Sequence, residues 1–155
     1  MKLSFDLDGV IADTDTSMLS LLHRAARSKL PGAGEDLLLY YARRHVLLDP
    51  REFAGEADSV YVVTGRVPST HAVTLRWVQR KLGLSQSNLF LVGSDESERL
   101  YQEGHSTQAV QLLAKQKLRA IRDIGADVHF DNNPGIVETL RKAGVIAIQV
   151  GPGIM

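Results

Sequence analysis

Phe5-Asp6-Leu7-Asp8-Gly9-Val10 is the stretch on which the reading of this chain turns. It closes the short apolar run that starts at Leu3, so its two carboxylates stand where a β-strand ends. Side chains alternate along a strand, and residues two apart therefore point to the same side. Two carboxylates held together repel, and they need a cation, a shared proton or solvent. One can then serve as a nucleophile and the other as an acid or base, with Mg²⁺ drawing their charge together. By itself Asp-x-Asp also begins solvated turns, with Gly9 supplying the bend, so the rest of the chain has to decide.

Outward from that stretch, short β-branched, aromatic or Leu runs alternate with helical periods. Leu3 to Leu7, Val60 to Val63, Leu89 to Val92, Val128 to Phe130 and Val145 to Val150 read as five strands. Met18, Leu22 and Ala25 space one helix, with caps sought among Asp13, Thr14 and Thr16. Leu75, Val78 and Leu82 space a second that Gly83 stops. Val110, Ala114, Leu118 and Ile121 space a third that Gly125 stops. Pro134 takes the first position of a fourth, with Asn133 as its cap. Such alternation predicts α/β architecture, a mostly parallel sheet covered on both faces. Two stretches stand apart. Residues 12–58 hold a small helical insert with a helix near Leu37 to Tyr41, and 93–108 are almost wholly polar, which predicts a long surface loop.

Composition narrows the classes. The chain has 155 residues, 44% of them hydrophobic, enough for one domain over 1–155 with a core of its own. It has no cysteine, which excludes disulfides, thiolate metal sites and cysteine nucleophiles. Eighteen Lys and Arg balance eighteen Asp and Glu, which speaks against holding nucleic acid or anionic membrane by bulk charge. The apolar runs are too short to span a bilayer, and Met1-Lys2 before the first strand is too brief for a signal peptide. The expectation is a soluble cytoplasmic domain.

Three more features sit at predicted strand ends or near them. Val62-Val63-Thr64-Gly65-Arg66 ends the second strand with a hydroxyl and a glycine that can hold a phosphate oxygen, and Arg66 can add charge. Lys117 lies late in the third helix, where it can neutralise a carboxylate and a phosphate; Lys115 takes its place if the helix register shifts. Asp131-Asn132 ends the fourth strand and offers hard oxygen ligands. Trp77 at helical spacing reads as core, His129 as a packed or hydrogen-bonded histidine, and His23 and His45 carry no pattern.

The order Asp-x-Asp, Thr, Lys, Asp resembles the haloacid dehalogenase (HAD) superfamily over nearly the whole chain. Asp6-Leu7-Asp8-Gly9-Val10 looks like its first motif, Thr64 its second, Lys117 its third and Asp131-Asn132 its fourth. The resemblance implies a Rossmannoid three-layer sandwich with a five-stranded parallel sheet of order 5-4-1-2-3 and a minimal helical cap over 12–58. It implies a Mg²⁺-dependent phosphatase: Asp6 attacks phosphorus, Asp8 is acid and base, and Thr64, Gly65 and Lys117 hold the phosphoryl group. Mg²⁺ would rest on Asp6, the Asp8 carbonyl, Asp131 and Asn132. Asn132 departs from the family pattern, which usually has a second acid there, and implies weaker metal binding.

A receiver domain uses similar residues, but its Lys follows the last strand, whereas Lys117 precedes Asp131. A HAD-fold protein that binds a ligand or partner without turnover is one alternative, and a phosphotransferase or mutase another, against which the short cap counts. A small cap implies an open site, or one closed by a homo-oligomer. Thr64-Gly65-Arg66, Thr74-x-x-Trp77-Val78, the polar stretch and the lysine helix have a weaker likeness to the 3′-phosphatase half of phage-type polynucleotide kinases. That suggests a small phosphorylated substrate such as a nucleotide, with nucleic acid not favoured and Arg66, Arg99 and His105 as candidate contacts.

Overall fold

Strand β1 (Lys2–Phe5) is the centre of the sheet, pairing in parallel with β2 (Ser59–Thr64) on one side and β4 (Val128–Asp131) on the other. The computed structural model describes residues 1–151; the last four residues of the domain expected over 1–155 lie outside the described residues. Outward from β1, β3 (Leu89–Leu91) flanks β2 and β5 (Ala147–Gln149) flanks β4. The order β3-β2-β1-β4-β5 is the expected 5-4-1-2-3 read from the opposite edge. The order in which strands are added reverses beside β1, with β2 and β3 laid to one side and β4 and β5 to the other, and that switch point is where open α/β sheets bind ligands.

Helices lie along both faces. On one, α3 (His71–Leu82) buries Trp77, Val78 and Leu82 against Leu3, Phe5 and Val62. On the other, α5 (Ser106–Ile124) and α6 (Pro134–Lys142) bury Ala114, Ile121, Ile136 and Leu140 together. Phe5 and Phe130, register partners across β1 and β4, stack at 4.6 Å between ring centroids. Gly83 and Gly125 close α3 and α5 in left-handed backbone, at φ 65° and 72°. Asn133 caps α6 through the N–H groups of Gly135 and Ile136, with Pro134 at its first position. Trp77 is core as expected, and its indole N–H donates to the Arg44 carbonyl at 2.8 Å.

The insert folds as α1 (Thr16–Arg27) and α2 (Ala33–Ala42). The cap of α1 is Asp15, one residue away from each of the nearest expected positions, accepting from Ser17 and Met18. The larger correction concerns 93–108. Instead of a loop, these residues form α4 (Asp95–Gln102) and the beginning of α5. Ser94 and Ser97 cap each other's backbone at the start of α4, and Gly104 at φ 83° turns the chain into α5. Polar composition concealed a helix whose buried residues are few. Three strands are also shorter than expected, β3 by the single residue Val92. β1 ends at Phe5 because the Leu7 carbonyl already accepts from Val10, Ile11 and Ala12. β5 starts late because the Val145 N–H returns to Leu140 and finishes α6. Among the described residues no helix is long and apolar enough to cross a membrane.

Candidate active site

The turn that begins at Leu7 sets the first part of the site. It follows the strand directly, with the Asp6 N–H still on the Phe130 carbonyl at 2.8 Å. Gly9 sits at φ 81°, a left-handed backbone that favours glycine, and a Cβ there would displace the Asn132 amide that packs against it. Asp6 and Asp8 both line one cavity, as residues two apart at a strand end are expected to, but beyond the end of regular β1 they take different partners. Asp6 engages Lys117 and Asp8 engages Arg66.

Lys117, 2% exposed, donates to Asp131 Oδ2 at 2.7 Å and lies 3.0 Å from Asp6 Oδ1. It is Lys117, and not Lys115, that α5 turns toward these carboxylates. Asp131 is further held by His129 Nε2 on Oδ2 at 3.0 Å and the Asn133 N–H on Oδ1 at 3.1 Å. His129 is fixed from behind by Ser4 at 2.8 Å, so it is a hydrogen-bonded core histidine as expected. Burial alone would raise the Asp131 carboxyl, but Lys117 and His129 hold it below the ordinary range. Asp6 has only its share of Lys117. Burial and the charge of Asp131 push its carboxyl up to about 7. Burial lowers the imidazole of His129 below its ordinary value.

Asp8 is more heavily engaged. Arg66 grips it with two parallel bonds, Nε to Oδ2 at 2.9 Å and Nη2 to Oδ1 at 2.8 Å, and Thr14 donates to Oδ1 at 2.6 Å. Burial works against the charge, yet Arg66 and Thr14 prevail and hold the Asp8 carboxyl below its usual range. Arg66 is in turn clamped by Thr74 at 3.1 Å and by the Tyr41 ring, 3.7 Å from the guanidinium carbon to the ring centroid. Arg66 thus secures Asp8 and is not a free contact for substrate. The Thr64 hydroxyl, 1% exposed, accepts from the Arg66 N–H at 3.2 Å. Gly93 backs this turn so closely that a Cβ would strike the Gly65 carbonyl.

These groups open on one cavity of about 190 Å³. Asp6, Asp8, Thr64, Gly65, Arg66 and Lys117 line it, as do Asp131 and Asn132. Arg99 and His105 do not. Arg99 lies on exposed α4 bonded to Glu103, and exposed His105 precedes α5. The opposite wall is one that the sequence did not reveal: Leu19 and His23 from α1, Tyr41 from α2, and Glu98 and Tyr101 from α4. His23 bonds the Tyr41 hydroxyl at 3.1 Å and Gln102 at 3.1 Å, joining α1 to α2 and α4. The spacing of Leu37 and Tyr41 marks an α2 face, but nothing local points that face at Arg66.

The donor set suits a hard cation. Three buried or half-buried carboxylates, Asp6, Asp8 and Asp131, face two cations, Arg66 and Lys117. Among the described residues, Asp6 Oδ2, the Asp8 carbonyl and the Asn132 amide make no hydrogen bond. Oxygen donors with unused lone pairs beside an uncompensated negative charge fit Mg²⁺, which completes its shell with water. No cage of three or more acidic or imidazole side chains is present among the described residues, because Lys117 bridges Asp6 and Asp131 and the Asp8 carboxylate turns to Arg66.

No family model and no curated protein matches the chain. A HAD family enzyme from Bacteroides thetaiotaomicron, solved as a magnesium complex, superposes with a TM-score of 0.51 at 10% identity, covering 98% of this chain and 93% of that one. Two further structures of that enzyme, both with magnesium and inorganic phosphate, give TM-scores of 0.45. The wild type is 12% identical and an aspartate-to-alanine mutant 11%, each covering 98% of this chain and 94% of its own. At 10% identity the first likeness establishes architecture, and the chain adopts the HAD-like Rossmann fold.

Proposed function

We propose that the protein is a Mg²⁺-dependent phosphomonoester hydrolase acting through an aspartyl-phosphate on Asp6. The observation that carries this reading is Asp6 itself: a carboxylate with one free oxygen facing the cavity, beside Lys117 and Thr64. Asp6 attacks phosphorus, an Asp6 oxygen–phosphorus bond forms, and the bond to the leaving oxygen breaks. Asp8 gives that oxygen a proton. Water then attacks the phosphorus, Asp8 takes its proton, and the Asp6–phosphorus bond breaks to release phosphate. Thr64, Gly65 and Lys117 hold the phosphoryl oxygens, which is most of what phosphoryl transfer asks of a protein.

Asp6, Asp131, the Asp8 carbonyl and Asn132 are the groups that would hold Mg²⁺. When bound, the ion neutralises charge on the transferring group. Arg66 and Thr14 keep Asp8 ionised, the state that accepts the proton of water. Donation in the first half requires an Arg66 contact to open and Asp8 to take up a proton from solvent before it passes that proton to the leaving oxygen. The volume of about 190 Å³ lies below the roughly 300–1,000 Å³ typical of sites for drug-sized ligands, which favours a small substrate over a nucleotide or a nucleic-acid end.

Turnover of p-nitrophenyl phosphate with Mg²⁺, abolished by Asp6→Asn, is the expected result; undiminished turnover in that variant refutes it. One observation favours a second reading, phosphate binding without turnover. Both oxygens of Asp8 are engaged, and Asn132 stands where an acid would strengthen the metal site. That reading predicts calorimetric binding of inorganic phosphate and no release from any ester.

A further inference from the structure

The wall opposite the phosphoryl-binding groups has a polarity of its own. It is built from Leu19, His23, Tyr41 and Tyr101, with Glu98 as its one charged side chain among the described residues. The Glu98 side chain is 30% exposed. Its Oε1 accepts from Gln102 at 3.2 Å and stands 3.9 Å from His23, while Oε2 makes no hydrogen bond among the described residues. Asp95 and Glu96 in the same first turn are exposed and suit the helix dipole, but Glu98 faces the cavity.

No cation answers it inside the cavity. Arg27 on α1 acts on Glu98 only from outside, bonded to Glu103 at 2.7 Å and lining with Arg99 a separate surface pocket on the far side of α4. Burial lowers the basicity of His23 and raises the Glu98 carboxyl. The two cations that do line the cavity, Arg66 and Lys117, are 5% and 2% exposed and are spent on Asp8, Asp6 and Asp131. A leaving group with a second phosphate or a carboxylate would find no positive charge here and would be repelled by Glu98. One with an ammonium would find a half-buried carboxylate with a free oxygen among aromatic rings.

Resting on the hydrolase reading, we propose that the substrate is a phosphate ester of a small amino alcohol, and that Glu98 is the specificity-determining residue that receives its ammonium. The test compares three esters of matched length: phosphoethanolamine, 2-hydroxyethyl phosphate and phosphoglycolate, which end in a cation, a neutral hydroxyl and an anion. Wild-type kcat/KM should fall in that order. A charge-assisted hydrogen bond is worth roughly ten- to a hundred-fold, so Glu98→Gln should compress the ratio of phosphoethanolamine to phosphoglycolate by about that factor. A wild type that hydrolyses phosphoglycolate as well as phosphoethanolamine overturns the inference, as does an unchanged ratio in Glu98→Gln. If none of the three is hydrolysed, the hydrolase reading fails on these esters, and calorimetric binding decides the inference. Tighter binding of phosphoethanolamine than of phosphoglycolate upholds it, and equal or reversed affinities overturn it.

Discussion

Replacing Arg66 with methionine keeps an unbranched apolar stem and removes the guanidinium with its charge. Asp8 would then keep only the Thr14 hydroxyl as partner, and the Tyr41 ring would lose the guanidinium stacked on it. Breaking a buried ion pair by removing one partner costs about 3–5 kcal/mol, because the other charge stays behind unpaired. The Asp8 side chain is 17% exposed, so the cavity lets water solvate it in part, and the lower half of that range applies. We therefore expect a loss of about 3 kcal/mol, a fall in Tm of roughly 6–12 °C for a domain of this size.

The assay is urea unfolding of the wild type, Arg66→Met, Asp8→Asn and the double variant. In the Asp8→Asn background Arg66→Met should cost less, since no carboxylate is stranded. The pH dependence has a definite sign. Arg66 depresses the Asp8 carboxyl in the folded protein, so its stabilisation is complete above the unfolded range near ~3.9 and is lost as pH falls through the depressed folded value. The gap between wild type and Arg66→Met should thus be widest at neutral pH and close under acid. A loss below about 1 kcal/mol, or the same loss with Asp8→Asn already in place, would refute the role given to this pair.

Asn132→Asp should lower the Mg²⁺ concentration needed for half-maximal p-nitrophenyl phosphate turnover, because a negative ligand replaces a neutral amide; an unchanged requirement would remove Asn132 from the metal site. Gly93→Ala should destabilise by about 1–3 kcal/mol in thermal melts, since its Cβ meets the Gly65 carbonyl and a backbone atom cannot swing aside. Melting within a degree of wild type would show that the turn can move. Trp77→Phe should cost about 1–3 kcal/mol by urea unfolding, the penalty of leaving the Arg44 carbonyl unpaired; no loss would mean that water replaces the indole N–H.

What the sequence disclosed and what it concealed divide along a physical line. Strand ends and helix stops are local: Gly83, Gly125 and Asn133-Pro134 do where they stand what their backbone chemistry demands. Motif residues at strand ends converge because parallel strands share one carboxyl edge, so Asp6, Thr64 and Asp131 meet at one cavity. The partners of Asp8 were not legible. Arg66 lies two residues past Thr64, and it is the packing of α2 and α3, which brings the Tyr41 ring and the Thr74 hydroxyl to its guanidinium, that holds it on Asp8. The wall from α1, α2 and α4 was hidden for the same reason, and α4 doubly so. Polar residues with serine caps read as a loop until tertiary contacts give the helix something to pack against.

The covalent role proposed for Asp6 can be examined directly by acid-quenched mass spectrometry of Asp8→Asn after exposure to p-nitrophenyl phosphate and Mg²⁺. Nitrophenolate leaves without a proton, so Asp6 can be phosphorylated in this variant, but without the base at position 8 the bond to phosphorus is cut slowly. The expected result is one phosphoryl group on the peptide carrying Asp6, absent when Asp6 is also changed to Asn. Nitrophenol release with Asp6 unmodified, or with the phosphoryl group on another residue, would contradict an aspartyl-phosphate at Asp6.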